Sequence, residues 1–291
     1  MKEITVISGK GGTGKTSVTA AFAWLGGKNV LVADCDVDAS DMHLLLVPEI
    51  VESEQFFSGK SAVVNNETCI QCNRCMEVCR FEAIENKNGK YSVIGSNCEG
   101  CGFCFQVCPA GAIQMTDKPI GKLYVSETRL NNILVHAKLN IGADNSGKLV
   151  SKIREVAKSK AKSGKIKYVL SDGSPGTGCP VIASVTGTDY VVIITEPTIS
   201  GFHDLKRVIE LISHFGTPAG CIINKSDLNP ETTSAIKVYL KANQVALLAE
   251  IPYSQSFTDA ITEGCTIVEK NKGAIFRKIK ESWEKIQKSG T

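Results

Sequence analysis

The sequence has no uninterrupted apolar run of about 18 residues, so it predicts no transmembrane helix and no stable membrane insertion. Its first residues contain neither a long apolar segment nor a small-residue cleavage site, and we therefore expect no signal peptide and a cytoplasmic chain. The net charge of the 291 residues is only +3, too little to indicate nucleic acid as a partner. Histidine is also scarce and scattered, which predicts no histidine metal site: His43, His136, His203 and His214.

Cysteine, in contrast, is abundant, with 12 residues. Secreted disulfide-rich proteins share this composition, but the lack of a predicted leader argues against that class. In a reducing compartment, clustered cysteines indicate bound metal more often than disulfides. With 43% apolar and 22% charged residues, the chain can bury one large core or two smaller ones.

Apolar segments of strand length alternate with helical patterns at both ends of the chain. The predicted strands are 4–8, 30–33, 168–171, 190–195, 220–224 and 245–251. The predicted helices are 15–25, 146–162 with Ser146 as its cap, 201–215 and 232–242. This alternation predicts an α/β fold, a doubly wound and mostly parallel sheet with helices on both faces. We assign residues 1–58 and 118–291 to this one domain.

The segment 59–117 lacks that alternation and holds eight of the cysteines in an internal repeat. Each copy has the spacing Cys-x2-Cys-x2-Cys-x3-Cys, and the copies are offset by 29 residues: Cys69, Cys72, Cys75 and Cys79, then Cys98, Cys101, Cys104 and Cys108. Because the α/β pattern lies on both sides, we predict an inserted domain rather than a terminal fusion. Zinc ribbons also use Cys-x2-Cys pairs, but zinc has no use for two identical four-cysteine runs.

The two runs resemble those of bacterial ferredoxins that hold two 4Fe–4S clusters. The resemblance covers the whole segment 59–117 and implies a small α+β ferredoxin-like domain. In such ferredoxins the fourth cysteine of each run ligates the other cluster. The implied ligands are therefore crossed: Cys69, Cys72, Cys75 and Cys108 for cluster one, and Cys79, Cys98, Cys101 and Cys104 for cluster two. Arg80 follows the first run where Pro109 follows the second, so we expect the two reduction potentials to differ.

A glycine-rich loop follows the first predicted strand and opens the first predicted helix. Residues 9–16 match the P-loop pattern Gly-x4-Gly-Lys-Thr, whose backbone N–H groups and helix N-terminus bind phosphates. Lys15 is predicted to contact the β- and γ-phosphates, and the Thr16 hydroxyl to ligate Mg²⁺. The predicted ATP or ADP site comprises Gly9, Lys10, Gly11, Gly12, Thr13, Gly14, Lys15, Thr16 and Ser17.

The loop contains a second lysine, Lys10, and the string Lys-Gly-Gly-Thr-Gly-Lys-Thr resembles the deviant Walker A motif of the MinD/ParA/nitrogenase iron protein superfamily. This resemblance implies that two chains pair face to face on ATP, as a homodimer or with a related chain. Lys10 would then reach the phosphates bound to the partner. It also implies a Mg²⁺-dependent ATPase in which Lys10, Lys15 and Asp36 are catalytic.

Polar residues after other predicted strands resemble further parts of the same site. Asp36 matches the residue that positions the attacking water, and Asp34 lies near the metal. Asp172 matches the Walker B aspartate, so the implied Mg²⁺ residues are Thr16, Asp34, Asp36 and Asp172. Asn224 and Pro252 match positions that contact the nucleotide base.

Together, the two resemblances imply an ATP-hydrolysing iron–sulfur protein that couples nucleotide state to electron transfer or to metallocluster assembly. Its expected partner is a redox protein or a metalloprotein client. Two alternatives are a MinD/ParA-type positioning ATPase whose clusters sense redox state, and a ferredoxin carrier with a degenerate nucleotide site. The intact nucleotide residues argue against the carrier. We predict Cys221 in the core and Cys179 as the best candidate for an extra metal contact; Cys35 and Cys265 have no assigned role.

Overall fold

A computed structural model of the chain describes residues 1–140, 142–143 and 147–289. The strands are β1 Lys2–Ser8, β2 Val30–Asp34, β3 Glu49–Val64, β4 Ile84–Lys87, β5 Lys90–Val93, β6 Ile113–Glu127, β7 Ile133–Leu139, β8 Tyr168–Pro175, β9 Tyr190–Thr195, β10 Ala219–Asn224 and β11 Ala246–Ile251. The helices are α1 Lys15–Gly26, α2 Met42–Leu46, α3 Arg74–Glu77, α4 Phe103–Val107, α5 Gly147–Ser163, α6 Cys179–Val185, α7 Ile199–Phe215, α8 Pro230–Ala242, α9 Ser256–Thr262, α10 Ile267–Lys270 and α11 Ala274–Lys288.

Nine strands form one sheet in the order β11-β10-β9-β1-β8-β2-β7-β6-β3. The pairs from β11 through β7 are all parallel. Parallel neighbours need a crossover between them, which the intervening helices supply. The carboxyl ends of β1, β2, β8 and β10 therefore meet at one edge, where ligands bind in doubly wound sheets.

In the described part of the chain, hydrophobic clusters cover both faces of the sheet. Because successive strand residues point to opposite sides, neighbours on one strand enter different cores. On β9, Val192 and Ile194 pack with α1 and α11, whereas Val191 and Ile193 pack with α6, α7 and α8. The inner strands β2, β9 and β10 are consequently apolar at nearly every position, the pattern from which a buried parallel sheet was predicted.

Capping residues account for several helix ends. The Thr198 side chain accepts a hydrogen bond from Gly201 N at 3.0 Å, so α7 begins two residues before the predicted start. Asn229 caps α8 in the same way by accepting from Thr232 N at 2.9 Å. The helix predicted from Ser146 is α5, but Ser146 itself lies outside the described residues.

The chain divides into two compact units. The larger unit is Met1–Ser53, Leu123–Ala137 and Asn145–Thr291, and the cysteine-rich unit is Glu54–Lys122 with Lys138–Asp144. These limits lie outside the predicted 59–117 on both sides. Most residues from 49 to 58 are exposed on β3, so their sequence shows no alternation that would have revealed a strand.

The cysteine-rich unit repeats its backbone as well as its sequence. Three positions with positive φ in the first half recur 29 residues later, which pairs Gln71, Asn73 and Glu82 with Gly100, Gly102 and Gly111. Asn73 and Gly102 each precede a short helix, α3 and α4 respectively. Glycine adopts a positive φ without a steric penalty, and the first half adopts the same turns without glycine.

The C-terminal helix α11 packs on the larger unit through its apolar stripe: Ile275, Ile279, Trp283 and Ile286. Its Trp283 ring stacks on Phe22 of α1 at 5.3 Å between centroids. The basic, amphipathic pattern of this helix therefore serves core packing. Among the helices that the structure describes, none is long and apolar enough to cross a membrane.

Candidate functional sites

The glycine-rich loop links the end of β1 to the start of α1. Gly14 caps α1 with a φ of 92°, a left-handed conformation that favours glycine. A Cβ at Gly14 would also lie 2.6 Å from Asn224 Nδ2, closer than any carbon can approach. The loop and the start of α1 line a cavity of about 320 Å³ whose other walls include Asp36 and Pro175.

Lys15 projects from the first turn of α1 between two carboxylates. Its Nζ lies 3.0 Å from Asp172 Oδ2 and 3.1 Å from Asp36 Oδ2. The ammonium is buried, yet none of its described neighbours accepts from it with good hydrogen-bond geometry. Burial alone would lower the Lys15 pKa, but the charges of Asp172 and Asp36 raise it above its ordinary value. Lys15 is therefore a charged donor that faces the cavity.

Asp172 binds α1 through both carboxylate oxygens. Its Oδ2 accepts from Thr16 Oγ1 at 2.8 Å, and its Oδ1 accepts from Thr19 Oγ1 at 2.9 Å. Strand β8 continues through Asp172 to Pro175, beyond the predicted end at residue 171. The predicted P-loop threonine and Walker B aspartate are thus hydrogen-bonded to each other, and the aspartate also forms an ion pair with Lys15.

Asp34 lies at the end of β2 and is fully buried. Its oxygens accept from Ser40 Oγ at 2.6 Å and from Asp36 N at 3.2 Å. Burial and the nearby charge of Asp172 raise the Asp34 pKa to about 7. Burial likewise raises the pKa of Asp36, although Lys15 opposes that shift.

These residues fit a magnesium nucleotide. Three buried carboxylates gather around one lysine, an excess of negative charge that a divalent cation would neutralise. Thr13 Oγ1 is buried without a hydrogen-bond partner among the described residues, and Lys15 Nζ contacts two carboxylates at the cavity wall, so both groups can bind phosphate oxygens. Lys15 and the loop amides would hold the phosphates, and Thr16 with Asp34, Asp36 and Asp172 would hold Mg²⁺.

Eight cysteines of the cysteine-rich unit line two separate cavities. One cavity has Cys79, Cys98, Cys101 and Cys104 in its wall. The other has Cys69, Cys72, Cys75 and Cys108. Each cavity thus combines three thiols of one repeat with the fourth thiol of the other repeat. These are the two groups that the ferredoxin resemblance implied.

Backbone amides point at the thiols in both repeats. Cys79 Sγ accepts from Ala83 N and Cys108 Sγ accepts from Ala112 N, each at 3.3 Å. Burial alone would raise the Cys98 pKa, but hydrogen bonds from backbone N–H groups and the charge of Lys118 lower it below its ordinary value. Thiolates that accept N–H bonds suit iron–sulfur ligation, so the donor set fits two clusters.

Comparison with known proteins agrees with this geometry. The profile of the CobQ/CobB/MinD/ParA nucleotide binding domain matches residues 4–267. The chain belongs to this family. The uncharacterized protein MJ0578 of Methanocaldococcus jannaschii is 31% identical over 287 residues, which cover 98% of this chain and 96% of that protein.

Two further proteins are similar to this family member. The uncharacterized ferredoxin MJ0265 of M. jannaschii is 50% identical over 44 residues, which cover 15% of this chain and 26% of that protein. The septum site-determining protein MinD of Pyrococcus horikoshii, solved with Mg-ADP, has a TM-score of 0.59 at 20% identity and covers 99% of this chain and 96% of that one. The predicted α/β MinD-like fold with a small inserted ferredoxin-like domain is therefore confirmed.

Of the two residues predicted to contact the base, Asn224 contacts the P-loop, and neither Asn224 nor Pro252 is among the described residues that line the 320 Å³ cavity. Asn224 is buried and donates from Nδ2 to Thr13 O at 2.8 Å, so its amide braces the loop. Pro252 is half-buried between two tethered neighbours. Ser226 N donates to Ile251 O at 2.9 Å, and Tyr253 N donates to Asp227 Oδ1 at 2.6 Å. These bonds hold Pro252 beside the segment that follows β10.

The second lysine of the family motif, Lys10, binds residues of its own chain. Its Nζ lies 2.7 Å from Glu196 Oε1, and Lys225 Nζ lies 2.7 Å from the other oxygen of Glu196. Sequence reasoning missed Glu196, because one carboxylate after an apolar strand is a common feature. Its place after β9, at the same sheet edge as the P-loop, was the signal that could have revealed it.

The four cysteines outside the repeat lie in different environments. Cys35 and Cys221 are fully buried, and burial raises the pKa of both thiols. Cys221 packs in the core between the sheet and α7, as predicted. Cys179 is exposed at the start of α6, and Cys265 is half-buried after α9.

Proposed function

We propose that this chain is a cytoplasmic, Mg²⁺-dependent ATPase that holds two 4Fe–4S clusters and couples its nucleotide state to electron transfer or to the assembly of a metal cofactor. One observation carries the proposal: a buried Lys15 ammonium held between Asp172 and Asp36 and two cavities lined by four cysteines each occur in the same chain. The ferredoxin similarity favours electron transfer as the output.

Different residues of the larger unit have different roles in hydrolysis. Lys15 and the loop amides hold the β- and γ-phosphates, and Asp36 orients the attacking water. Mg²⁺, when bound, neutralises charge on the transferred phosphoryl group. Asp172 keeps Thr16 oriented toward the metal and connects it to β8. Loss of the γ-phosphate removes a partner of Lys15 and lets the glycine-containing chain after Asp172 rearrange.

Pairing of two chains on ATP is the step that we expect to transmit nucleotide state. Lys10 would leave its own chain and contact the nucleotide of the partner. The cysteine-rich unit begins in sequence soon after Asp34 and Asp36, so a change in that segment can be passed along the chain. The output acts on a redox partner or a metalloprotein client.

The test begins with anaerobic purification and measures iron, sulfide and Mg²⁺-dependent ATP hydrolysis. We expect about eight irons per chain and hydrolysis that Lys15→Ala abolishes without loss of iron. Lys28→Ala is the matched control, because Lys28 is an exposed lysine on the same unit. Zinc in place of iron, or hydrolysis that persists in Lys15→Ala, would contradict the proposal.

A second measurement separates the possible outputs. The EPR spectrum and the reduction potential of the clusters are compared with and without Mg-ATP, using wild type and Lys15→Ala. A nucleotide-dependent potential that requires Lys15 supports coupling to electron transfer. An unchanged potential, combined with ATP-dependent recruitment to vesicles or DNA, would favour the positioning alternative instead.

A further inference from the structure

Glu196 joins two lysines beside the P-loop. It follows β9 and is only 7% exposed. Lys10 Nζ lies 2.7 Å from Oε1, and Lys225 Nζ lies 2.7 Å from Oε2, so each ammonium has an oxygen of its own. Burial alone would raise the Glu196 pKa, but hydrogen bonds from both lysines lower it below its ordinary value. Glu196 is therefore an ionised carboxylate shared by two cations.

Lys10 has further contacts at the start of α7. Its Nζ donates to Thr198 Oγ1 at 3.2 Å and to Ser200 Oγ at 3.1 Å. Thr198 caps α7, so the ammonium lies where the helix N-terminus carries partial positive charge. This environment disfavours a cation. Glu196 is thus the contact that holds Lys10 against the field of α7.

Lys225 also contacts the backbone of the P-loop. Besides Glu196, its Nζ donates to Gly12 O at 3.2 Å. If Lys10 departs, Glu196 keeps one cation and forms a neutral pair with Lys225. An ionised carboxylate left alone in this buried position would be strongly disfavoured, and Lys225 removes that penalty. The two-lysine arrangement therefore permits the release of Lys10.

We propose that Glu196 is a positioning residue that anchors Lys10 to its own chain until ATP-driven pairing draws Lys10 to a phosphate, and that Lys225 is the counter-ion that stays behind. The inference rests on the proposed function, because it presumes that Lys10 acts on a nucleotide held by a second chain. The inference adds Glu196 as a partner that competes with nucleotide phosphate for Lys10. Nucleotide phosphate must displace Glu196 before two chains can close.

Amine acetylation of the nucleotide-free chain tests the anchor directly. The rate at Lys10 is measured by mass spectrometry relative to the exposed Lys28 in the same sample. We expect Glu196→Gln to raise the relative rate about fivefold, since one partly buried ion pair contributes about 1 kcal/mol. Lys225→Met makes Lys10 the only cation on Glu196, so we expect it to lower the rate about threefold.

Opposite changes in the two variants distinguish an anchor from general structural damage. In the double variant Glu196→Gln/Lys225→Met, the effect of Lys225→Met should vanish. Changes in the same direction, or an unaltered rate at Lys10 in Glu196→Gln, would overturn the inference. Circular dichroism confirms that each variant is folded.

Pairing supplies the second readout. In sedimentation with Mg-ATP, Glu196→Gln should pair at a lower ATP concentration than wild type, and Lys225→Met at a higher one. Mg-ADP titration calorimetry of each variant shows whether nucleotide affinity itself has changed. A wild type that does not bind Mg-ADP refutes the proposed function. A wild type that binds and pairs, with variants that both shift the same way, refutes only the anchor.

Discussion

Paired cysteine substitutions can establish which thiols share a cluster. Cys72 and Cys108 line one cavity although they come from different repeats, and Cys79 and Cys101 line the other. Replacing both members of such a pair by alanine removes two of four ligands from one cavity and leaves the other intact. Replacing Cys72 and Cys79, which share a repeat, removes one ligand from each cavity.

The expected iron contents follow from which cysteines line each cavity. Wild type should hold about eight irons, and either same-cavity double variant about four, because one four-thiolate site persists. The Cys72→Ala/Cys79→Ala variant should keep no four-thiolate site. Its iron content should be lower than that of wild type, and the amount that remains shows how well three thiolates retain iron. If each four-cysteine run ligated its own cluster instead, Cys72→Ala/Cys79→Ala would keep one four-thiolate site and the same-cavity variants would keep none.

Iron analysis and EPR of the reduced, anaerobic protein provide the assay. The same-cavity variants should show the signal of one intact 4Fe–4S cluster without magnetic interaction from a second. Cys265→Ala is the matched control, since Cys265 is partly exposed, lies outside the repeat and has no assigned role. An intact cluster in Cys72→Ala/Cys79→Ala, and none in Cys72→Ala/Cys108→Ala, would refute the crossed arrangement.

Three further predictions concern the larger unit. Gly14→Ala should weaken Mg-ADP binding by at least about tenfold in calorimetry, because the left-handed φ and the contact with Asn224 both oppose a Cβ. Burial lowers the His136 pKa to about 4. As the pH falls from 6.5 to 4, the unfolded chain therefore takes up the proton before the folded chain does. The free energy of unfolding in urea should fall by up to about 3 kcal/mol over this range. Arg154→Met should lower that free energy by about 3 kcal/mol at neutral pH, because Arg154 pairs with buried Glu3 and donates to two carbonyls.

Each of these predictions has a control. Gly27→Ala has a positive φ but open space around its Cβ, so its Mg-ADP affinity should match wild type. His136→Gln should remove the pH-dependent loss that is specific to His136, and a difference from wild type that does not vary with pH would contradict the assignment. Glu3→Gln/Arg154→Met should be less unstable than the sum of its single variants, and strict additivity would mean that the pair does not interact.

Much of the fold could be predicted because the strands of the larger unit are buried on both faces. Val191 to Ile194 are apolar without interruption, and the helices that cover them show the 3.6-residue period. The nucleotide loop was recognisable because its backbone demands specific residues. Gly14 must adopt a positive φ, and Lys15 must follow it at the helix start. The two groups of cysteines could be listed because ligand spacing constrains them.

Other features depend on contacts that local sequence does not encode. Glu196 meets Lys10 and Lys225 only when β9, β10 and the P-loop come together at the sheet edge. Asn224 was predicted to contact the base, which stays a prediction; its amide also donates to the loop carbonyl of Thr13, a tertiary contact that local sequence does not encode. The length of β3 was hidden because its first residues are exposed and mix apolar with polar side chains without alternation.

The two halves of the cysteine-rich unit bear unequal conformational costs. Gln71, Asn73 and Glu82 adopt turns for which the second half uses glycine, at a penalty of roughly 1 kcal/mol for each ordinary residue. Local preference therefore disfavours the turns of the first half, so we expect them to depend more on bound iron than their glycine counterparts do. Iron limitation should accordingly loosen the turns around Gln71 and Glu82 before their glycine counterparts, an order that hydrogen exchange during gradual chelation would reveal.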